Sequence, residues 1–152
     1  MTKGGSVKRQ DPSQRARRGR LAARRAARAS RVLVCDCDPT SKRPMSDDVM
    51  ELGYEVVAHH TLADGLREAT VTPFDVVLVS VPRLPDAKQK LLQLLRRATP
   101  HIPLVVVTSD DSLEMRVSCQ AVQPFYYAVR PVPIAELREA LNGALARSPA
   151  RG

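Results

Sequence analysis

The stretch that decides the fold is residues 31–39, which read RVLVCDCDP. Four apolar residues, Val32 to Cys35, are followed at once by acids and a proline. A continuous apolar run of this length is typical of a strand that is covered on both faces, as in a parallel sheet. The acids that follow it would then lie at the carboxyl edge of the sheet, where α/β proteins place their binding crevices.

Four further runs of the same kind follow along the chain. We predict strands at residues 31–35, 55–58, 75–79, 104–108 and 125–129. The segments between and after them carry apolar residues spaced by three and four, which predicts five helices. This alternation predicts an α/β fold, with an open parallel five-stranded sheet doubly wound by helices on both faces.

Apolar spacing also predicts which helix faces are buried. Thr61 is expected to cap the second helix with its hydroxyl, and Asp86 is expected to cap the third. The predicted buried faces are Met45, Val49 and Leu52 in the first helix, Leu91, Leu94, Leu95 and Ala98 in the third, Met115, Cys119 and Val122 in the fourth, and Ile134, Leu137, Leu141 and Leu145 in the fifth.

Charge is distributed unevenly along the chain. The formal net charge is +8, yet residues 1–31 alone hold eleven Lys or Arg against the single acid Asp11. Because this segment has almost no large apolar residue, we predict a disordered basic tail at 1–30, a folded domain at 31–147 and a disordered end at 148–152. The tail either aids solubility or binds nucleic acid or an acidic partner. The arginines available for such binding are Arg17, Arg18, Arg20, Arg24, Arg25 and Arg28.

The cellular compartment is predicted from the cysteines and from hydropathy. The three cysteines lack the spacing of a disulfide framework. No apolar stretch approaches the roughly 20 residues needed to cross a bilayer, and the tail lacks the residues of a membrane anchor. We therefore expect a cytoplasmic protein without membrane contact, although the Arg-rich, acid-poor start also fits an organellar transit peptide.

Three motifs show a resemblance to a known family. The strings VLVCDCDP at residues 32–39, GYEV at 53–56 and YAVRPV at 127–132 resemble the receiver domain of bacterial two-component response regulators. The resemblance covers about residues 31–147. It implies a CheY-like, flavodoxin-like (βα)5 fold with strand order 2-1-3-4-5, and a regulatory, non-enzymatic role in phosphorelay signal transduction.

The resemblance also identifies a degenerate phosphorylation pocket. In that family two acids after the first strand and an aspartate after the third hold Mg²⁺, and this aspartate accepts the phosphoryl group. Asp36 matches the first acid, Cys37 stands in place of the second, and Ser80 stands at the phosphoacceptor position. Mg²⁺ prefers oxygen ligands, and a serine hydroxyl is a weak nucleophile without an adjacent base. We expect no catalytic residue, no cofactor and weak or absent Mg²⁺ binding. Asp36 and Asp38 then either cap their loop or bind a cation weakly.

The two remaining pocket positions keep their chemical character. Thr108 matches the hydroxyl that binds the phosphoryl group in the family, and Arg130 replaces its lysine. Without a phosphoryl group, we expect Arg130 either to pair with Asp36, which would lock the domain in one state, or to be solvated.

The output face that the resemblance implies comprises the fourth helix, the fifth strand and the fifth helix. Tyr127 matches the aromatic switch position, and Met115, Arg116 and Gln120 are expected to contact a partner. The first hypothesis is a pseudo-receiver that binds another protein, or a second copy of itself, independently of phosphorylation. The second is a nucleic-acid-binding regulator that uses the basic tail, with the receiver fold as a dimerisation scaffold. The third is a conventional phosphorylatable response regulator.

Overall fold

The computed structural model describes residues 30–148, so most of the predicted tail and the end of the chain lie outside the described residues. Every predicted strand and helix is present, in the predicted order. The strands are β1 Arg31–Asp36, β2 Glu55–His59, β3 Val76–Val81, β4 Leu104–Thr108 and β5 Tyr126–Val129. The helices are α1 Met45–Glu51, α2 Leu62–Val71, α3 Asp86–Ala98, α4 Leu113–Gln120 and α5 Ile134–Arg147.

The five strands form one parallel sheet in the order β2-β1-β3-β4-β5, which confirms the predicted topology. The three central strands are buried almost throughout, as their continuous apolar sequences predict. The register pairs Asp36 of β1 with Ser80 of β3. The carboxyl ends of these two strands therefore bring two of the predicted pocket residues side by side.

The sheet separates two apolar cores. On one face, α2, α3 and α4 contribute residues such as Leu62, Leu92 and Met115. On the other face, α1 and α5 contribute residues such as Val49 and Leu141. Burying each large apolar side chain contributes about 1.5–3 kcal/mol, so these two layers supply most of the stabilisation that holds the sheet.

Several details of the prediction are wrong. In α5, Ile134 was predicted on the buried face, but it is the first residue of the helix and is 41% exposed. In α3 the buried leucines are Leu92 and Leu95, whereas Leu94 is 45% exposed and Ala98 is exposed as well. Leucines at positions 91, 92, 94 and 95 allow more than one apolar face, and packing on the sheet selects among them. Strand β3 extends through Ser80, which therefore lies within the strand and not after it.

The helix ends show how local sequence sets the boundaries. Thr61 caps α2 as predicted, because its Oγ1 accepts a hydrogen bond of 3.1 Å from the Asp64 amide. Asp86 is not a cap: it is the first residue of α3, and Pro85 occupies the capping position without a side-chain bond. Gly53, at the turn between α1 and β2, has a φ of 97°, a conformation that favours glycine. No described helix is both long and apolar enough to span a membrane.

Candidate functional site

The carboxyl edge of the sheet brings the six predicted pocket residues together. The main chain of Cys37 donates to the Ser80 carbonyl at 2.8 Å, and that of Arg130 donates to the Thr108 carbonyl at 2.7 Å. These bonds continue the strand pairing past the ends of β1 and β5. Ser80 and Thr108 are completely buried. The pocket is therefore built on the rigid part of the sheet.

The guanidinium of Arg130 lies at the centre of this pocket. Its Nη2 donates to Ser80 Oγ at 2.5 Å, and its Nε lies 3.7 Å from Asp38 Oδ2. The expected pairing with Asp36 is wrong, and so is the alternative of a solvated side chain, because only 20% of the Arg130 side chain is exposed. Asp36 is engaged elsewhere: its Oδ2 accepts a bond of 2.6 Å from the Met45 amide at the start of α1.

Asp38 is held by its own loop and leaves one oxygen without a hydrogen bond. Its Oδ1 accepts from the amide of Thr40 at 2.9 Å and from the Thr40 hydroxyl at 2.6 Å. Its Oδ2 is buried and has no hydrogen-bond partner among the described residues, and the same is true of Arg130 Nε. At 3.7 Å these two atoms attract each other as charges but are too far apart for a hydrogen bond. Asp36 and Asp38 therefore accept hydrogen bonds from the loop that follows them, which is one of the two roles expected for these acids.

The hydroxyl of Thr108 is also committed to its loop. Its Oγ1 accepts a bond of 3.0 Å from the Asp110 amide and lies 3.4 Å from the Pro82 carbonyl, to which it can donate. These contacts link the end of β4 to the loop after β3. In this arrangement the hydroxyl serves the local structure and makes no bond to Ser80 or Arg130.

Cys37 brings a neutral thiol to the pocket. The pKa of Cys37 is raised to about 11, chiefly because the thiol is buried. The Lys88 ammonium lowers this pKa, whereas the Asp36 carboxylate raises it further. The thiol is therefore protonated at neutral pH and is a poor ligand for Mg²⁺. Among residues 30–148, no group of three or more His, Cys, Asp or Glu is arranged to hold a metal ion. The donor set does not fit the Mg²⁺ that the resemblance implies, since Arg130 also places a cation in the pocket.

The residue that the resemblance places at the aromatic switch position contacts the loop after β4. Tyr127 donates from its hydroxyl to the Asp110 carbonyl at 3.3 Å. The guanidinium of Arg116 lies over its ring, 5.3 Å from the centroid, and also pairs with Asp111. This stack of an exposed arginine on a partly buried ring joins α4 to β5.

The exposed surface of α4 differs from the prediction at one residue. Met115 is only 3% exposed and belongs to the core, so its side chain is not part of an output face. Gln120 is exposed as expected. The prediction missed Leu113 and Val117, which are 76% and 57% exposed. Their signal in the sequence was apolar character one turn apart, out of phase with the buried residues of the same helix.

Comparison with known sequences gives regulators as relatives. The transcriptional regulatory protein ZraR of Salmonella typhimurium is 26% identical over 77% of this chain and 26% of its own length. The two-component response regulator-like protein PRR1 of Oryza sativa subsp. japonica is 27% identical over 70% of this chain and 21% of its own. The chain thus spans about a quarter of the length of these relatives. A scan against models of known families gives no match.

Comparison with solved structures gives receiver domains. The CheY-like response regulator receiver domain protein from Methanospirillum hungatei superimposes with a TM-score of 0.65 at 26% identity, over 77% of this chain and 94% of that one. The relatives are regulators, which agrees with the prediction of a signalling domain and not an enzyme. Fold and relatives together support the assignment of the described part of the chain to the response-regulator receiver domains of the CheY-like type.

Proposed function

We propose that this chain is a pseudo-receiver, a receiver domain of two-component signalling that acts through protein contacts without accepting a phosphoryl group. The proposal rests on Ser80, which is completely buried and accepts a hydrogen bond from the Arg130 guanidinium. A serine becomes a nucleophile only when an adjacent base takes its proton. A guanidinium is always charged and only donates hydrogen bonds, so Arg130 cannot be that base.

The second support for the proposal is electrostatic. In the family, the metal ion sits beside the phosphoacceptor and neutralises the incoming phosphoryl group. Here the guanidinium of Arg130 reaches Ser80 directly, and Asp36 is already bonded to the start of α1. A divalent cation would have to approach this fixed positive charge with the neutral thiol of Cys37 as one of its ligands. We therefore infer that the pocket is held in one state by internal contacts.

The experiment is intact-mass analysis of the full chain after incubation with acetyl phosphate and Mg²⁺. Wild type should gain no phosphate, and neither should Ser80→Ala. The variant Ser80→Asp/Cys37→Asp/Arg130→Lys restores the acids and the lysine of the family, so it should gain one phosphate. Ser80→Asp alone restores the carboxylate nucleophile but leaves Cys37 at the metal-ligand position. Its phosphate uptake therefore shows which of the two losses prevents phosphorylation. A phosphate adduct on wild type would refute the pseudo-receiver proposal, and its absence from Ser80→Ala would identify Ser80 as the acceptor.

We propose that the protein partner contacts the α4–β5–α5 face. Leu113 and Val117 expose apolar side chains one helical turn apart on α4, and Ile134 at the start of α5 is 41% exposed. Exposed apolar pairs of this kind are favourable contacts for another protein. Arg116 lies on the same helix and joins it to Tyr127. The partner is either another chain of the signalling pathway or a second copy of this one.

Sedimentation velocity over a wide range of protein concentration tests the second copy. If the chain dimerises through this face, Leu113→Asp/Val117→Asp should abolish the dimer. The matched control is Val71→Asp on α2, because Val71 is 77% exposed on a different helix. A dimer that survives the α4 substitutions would exclude this face, and a wild-type monomer at all concentrations would leave a different protein as the partner.

We also propose that the chain works in the cytoplasm. Its described cysteines, Cys35, Cys37 and Cys119, are all free thiols. Free thiols persist in reducing compartments, whereas oxidising compartments favour disulfides.

A further inference from the structure

A second groove opens at the carboxyl edge of the sheet, next to the pocket of Ser80. It lies between the loop after β3 with the start of α3 and the loop after β4 with the start of α4. None of the six pocket residues is among the described residues that line it. Its volume of about 1030 Å³ is at the upper end of that of small-molecule sites, which is about 300–1,000 Å³. The groove is therefore large enough to hold a small molecule.

The two walls of this groove carry charges of opposite sign. Arg83 and Lys88 line it from the side of β3 and α3, and Asp110 and Glu114 line it from the side of β4 and α4. In the part of the chain that the structure describes, none of these four side chains forms an ion pair. Opposite charges that face one groove without pairing are available to a ligand that carries both an anionic and a cationic group.

The bottom of the groove between these walls is apolar. Leu84 and Met115 line it, are 7% and 3% exposed, and belong to the core beneath α3 and α4. Ser109 and Ser118 line the same groove and add hydroxyls that can donate or accept a hydrogen bond. This combination suits a ligand with an apolar body, a few polar groups and a charge at each end.

Main-chain groups that border the groove contact both the pocket and Tyr127. The Pro82 carbonyl lies 3.4 Å from Thr108 Oγ1, and the Asp110 amide donates to that oxygen at 3.0 Å. The carbonyl of Asp110 accepts the bond of 3.3 Å from the Tyr127 hydroxyl. A ligand that displaces the loop after β4 would therefore change a contact of Tyr127 without any reaction at Ser80.

We propose that this groove binds a short zwitterionic peptide, and that binding takes the place of phosphorylation in controlling the contact between Asp110 and Tyr127. The terminal carboxylate of the peptide pairs with Arg83 and Lys88, and its terminal ammonium pairs with Glu114 and Asp110. An extended tripeptide spans about 10 Å, so its charges are far enough apart for its side chains to cover the apolar bottom of the groove. The regulatory step rests on the proposed pseudo-receiver function, whereas peptide binding does not.

The test is titration of the isotope-labelled full chain with trialanine, followed by amide chemical shifts. Shifts should concentrate at residues 82–88 and 109–118 and should include Tyr127. Three analogues separate the charges: N-acetyl-trialanine keeps only the carboxylate, trialanine amide keeps only the ammonium, and N-acetyl-trialanine amide keeps neither. Loss of one charge should weaken binding about fivefold, and loss of both should weaken it about twentyfold.

Substitutions on each wall should affect only ligands that carry the opposite charge. Arg83→Gln/Lys88→Gln should weaken trialanine about fivefold and should not weaken trialanine amide, which has no carboxylate. Glu114→Gln should weaken trialanine about threefold and should not weaken N-acetyl-trialanine, which has no ammonium. The matched control is Lys90→Gln/Arg97→Gln, which removes two exposed cations of α3 that do not line the groove. It should change each affinity by less than about twofold.

The outcomes separate this inference from the pseudo-receiver proposal. Absence of shifts in the groove at about 20 mM trialanine would overturn the site, because a site of millimolar affinity is then nearly saturated. Equal weakening of all four ligands by Arg83→Gln/Lys88→Gln would overturn it as well. Groove shifts without a shift at Tyr127 would overturn the regulatory step. If wild type binds trialanine and also gains phosphate from acetyl phosphate, the pseudo-receiver proposal fails and the peptide site stands.

Discussion

Replacing Arg130 by Met tests the internal contacts of the pocket most directly. Met has a similar length but no charge and no donor. In the structure Arg130 donates to Ser80 Oγ at 2.5 Å and lies 3.7 Å from a carboxylate oxygen of Asp38 that has no hydrogen bond. The substitution should therefore leave the Asp38 charge buried without compensation and Ser80 without its partner.

The expected loss of stability follows from these distances. Two unit charges 3.7 Å apart attract each other by about 4.5 kcal/mol at an effective dielectric constant near 20. Solvent screens part of this attraction, because 20% of the Arg130 side chain is exposed, and the wild-type guanidinium is itself partly desolvated. Loss of the hydrogen bond to Ser80 adds about 1 kcal/mol. Arg130→Met should lower the free energy of unfolding by about 2–3 kcal/mol.

The assay is urea denaturation followed by circular dichroism, because urea does not screen charges. Four proteins are compared: wild type, Arg130→Met, Asp38→Asn and the double variant. Since Asp38→Asn removes the charge that Arg130 compensates, the double variant should be more stable than the sum of the single effects predicts, by at least about 1 kcal/mol. Strict additivity, or a loss below about 0.5 kcal/mol in Arg130→Met, would refute the reasoning.

Three further predictions concern packing, thiol chemistry and backbone conformation. A Cβ on Gly65 would lie 2.2 Å from Cys35 Sγ, so Gly65→Ala should cost about 2 kcal/mol in thermal denaturation, and adding Cys35→Ala should recover most of it; no recovery would contradict this packing. Because the pKa of Cys37 is raised from 9.0 to about 11, alkylation by iodoacetamide at neutral pH should be about a hundredfold slower than for a free thiol of pKa 9.0. Lys88→Met should slow it further, since Lys88 lowers that pKa, and an unchanged rate profile against pH would exclude the contact. Gly53 has a φ of 97° with open space around it, so Gly53→Ala should cost about 1 kcal/mol from backbone strain alone, and an unchanged melting temperature would show that the turn adapts.

The sheet and the chemical content of the pocket were predictable from sequence. Strands β1, β3 and β4 are apolar on both faces because both faces are covered, and such continuous runs distinguish a parallel sheet from an antiparallel one. The polar residues after these runs had to meet at one edge, because parallel strands share their carboxyl ends. The identities of Cys37 and Ser80 at this edge are properties of the sequence alone, and the proposal that this pocket neither binds Mg²⁺ nor accepts a phosphoryl group rests on them.

Side-chain partners and helix faces depended on contacts between distant parts of the chain. Asp36 and Asp38 are two residues apart, yet Asp36 accepts from the amide of Met45, whereas Arg130 lies beside Asp38. On α4, apolar residues lie on both sides, and only packing on the sheet decides that Met115 is buried.

The groove at the amino edge of the sheet, which Arg96 and Arg147 line, shows the same dependence on long-range packing. Arg96 and Arg147 lie far apart in sequence, and each read alone is an ordinary basic residue near the end of a helix. The ends of α3 and α5 converge because the sheet places β4 beside β5. This convergence brings the charges of Arg96 and Arg147 into one groove. Local sequence sets where strands and helices form, whereas the choice of neighbour is a property of the packed chain.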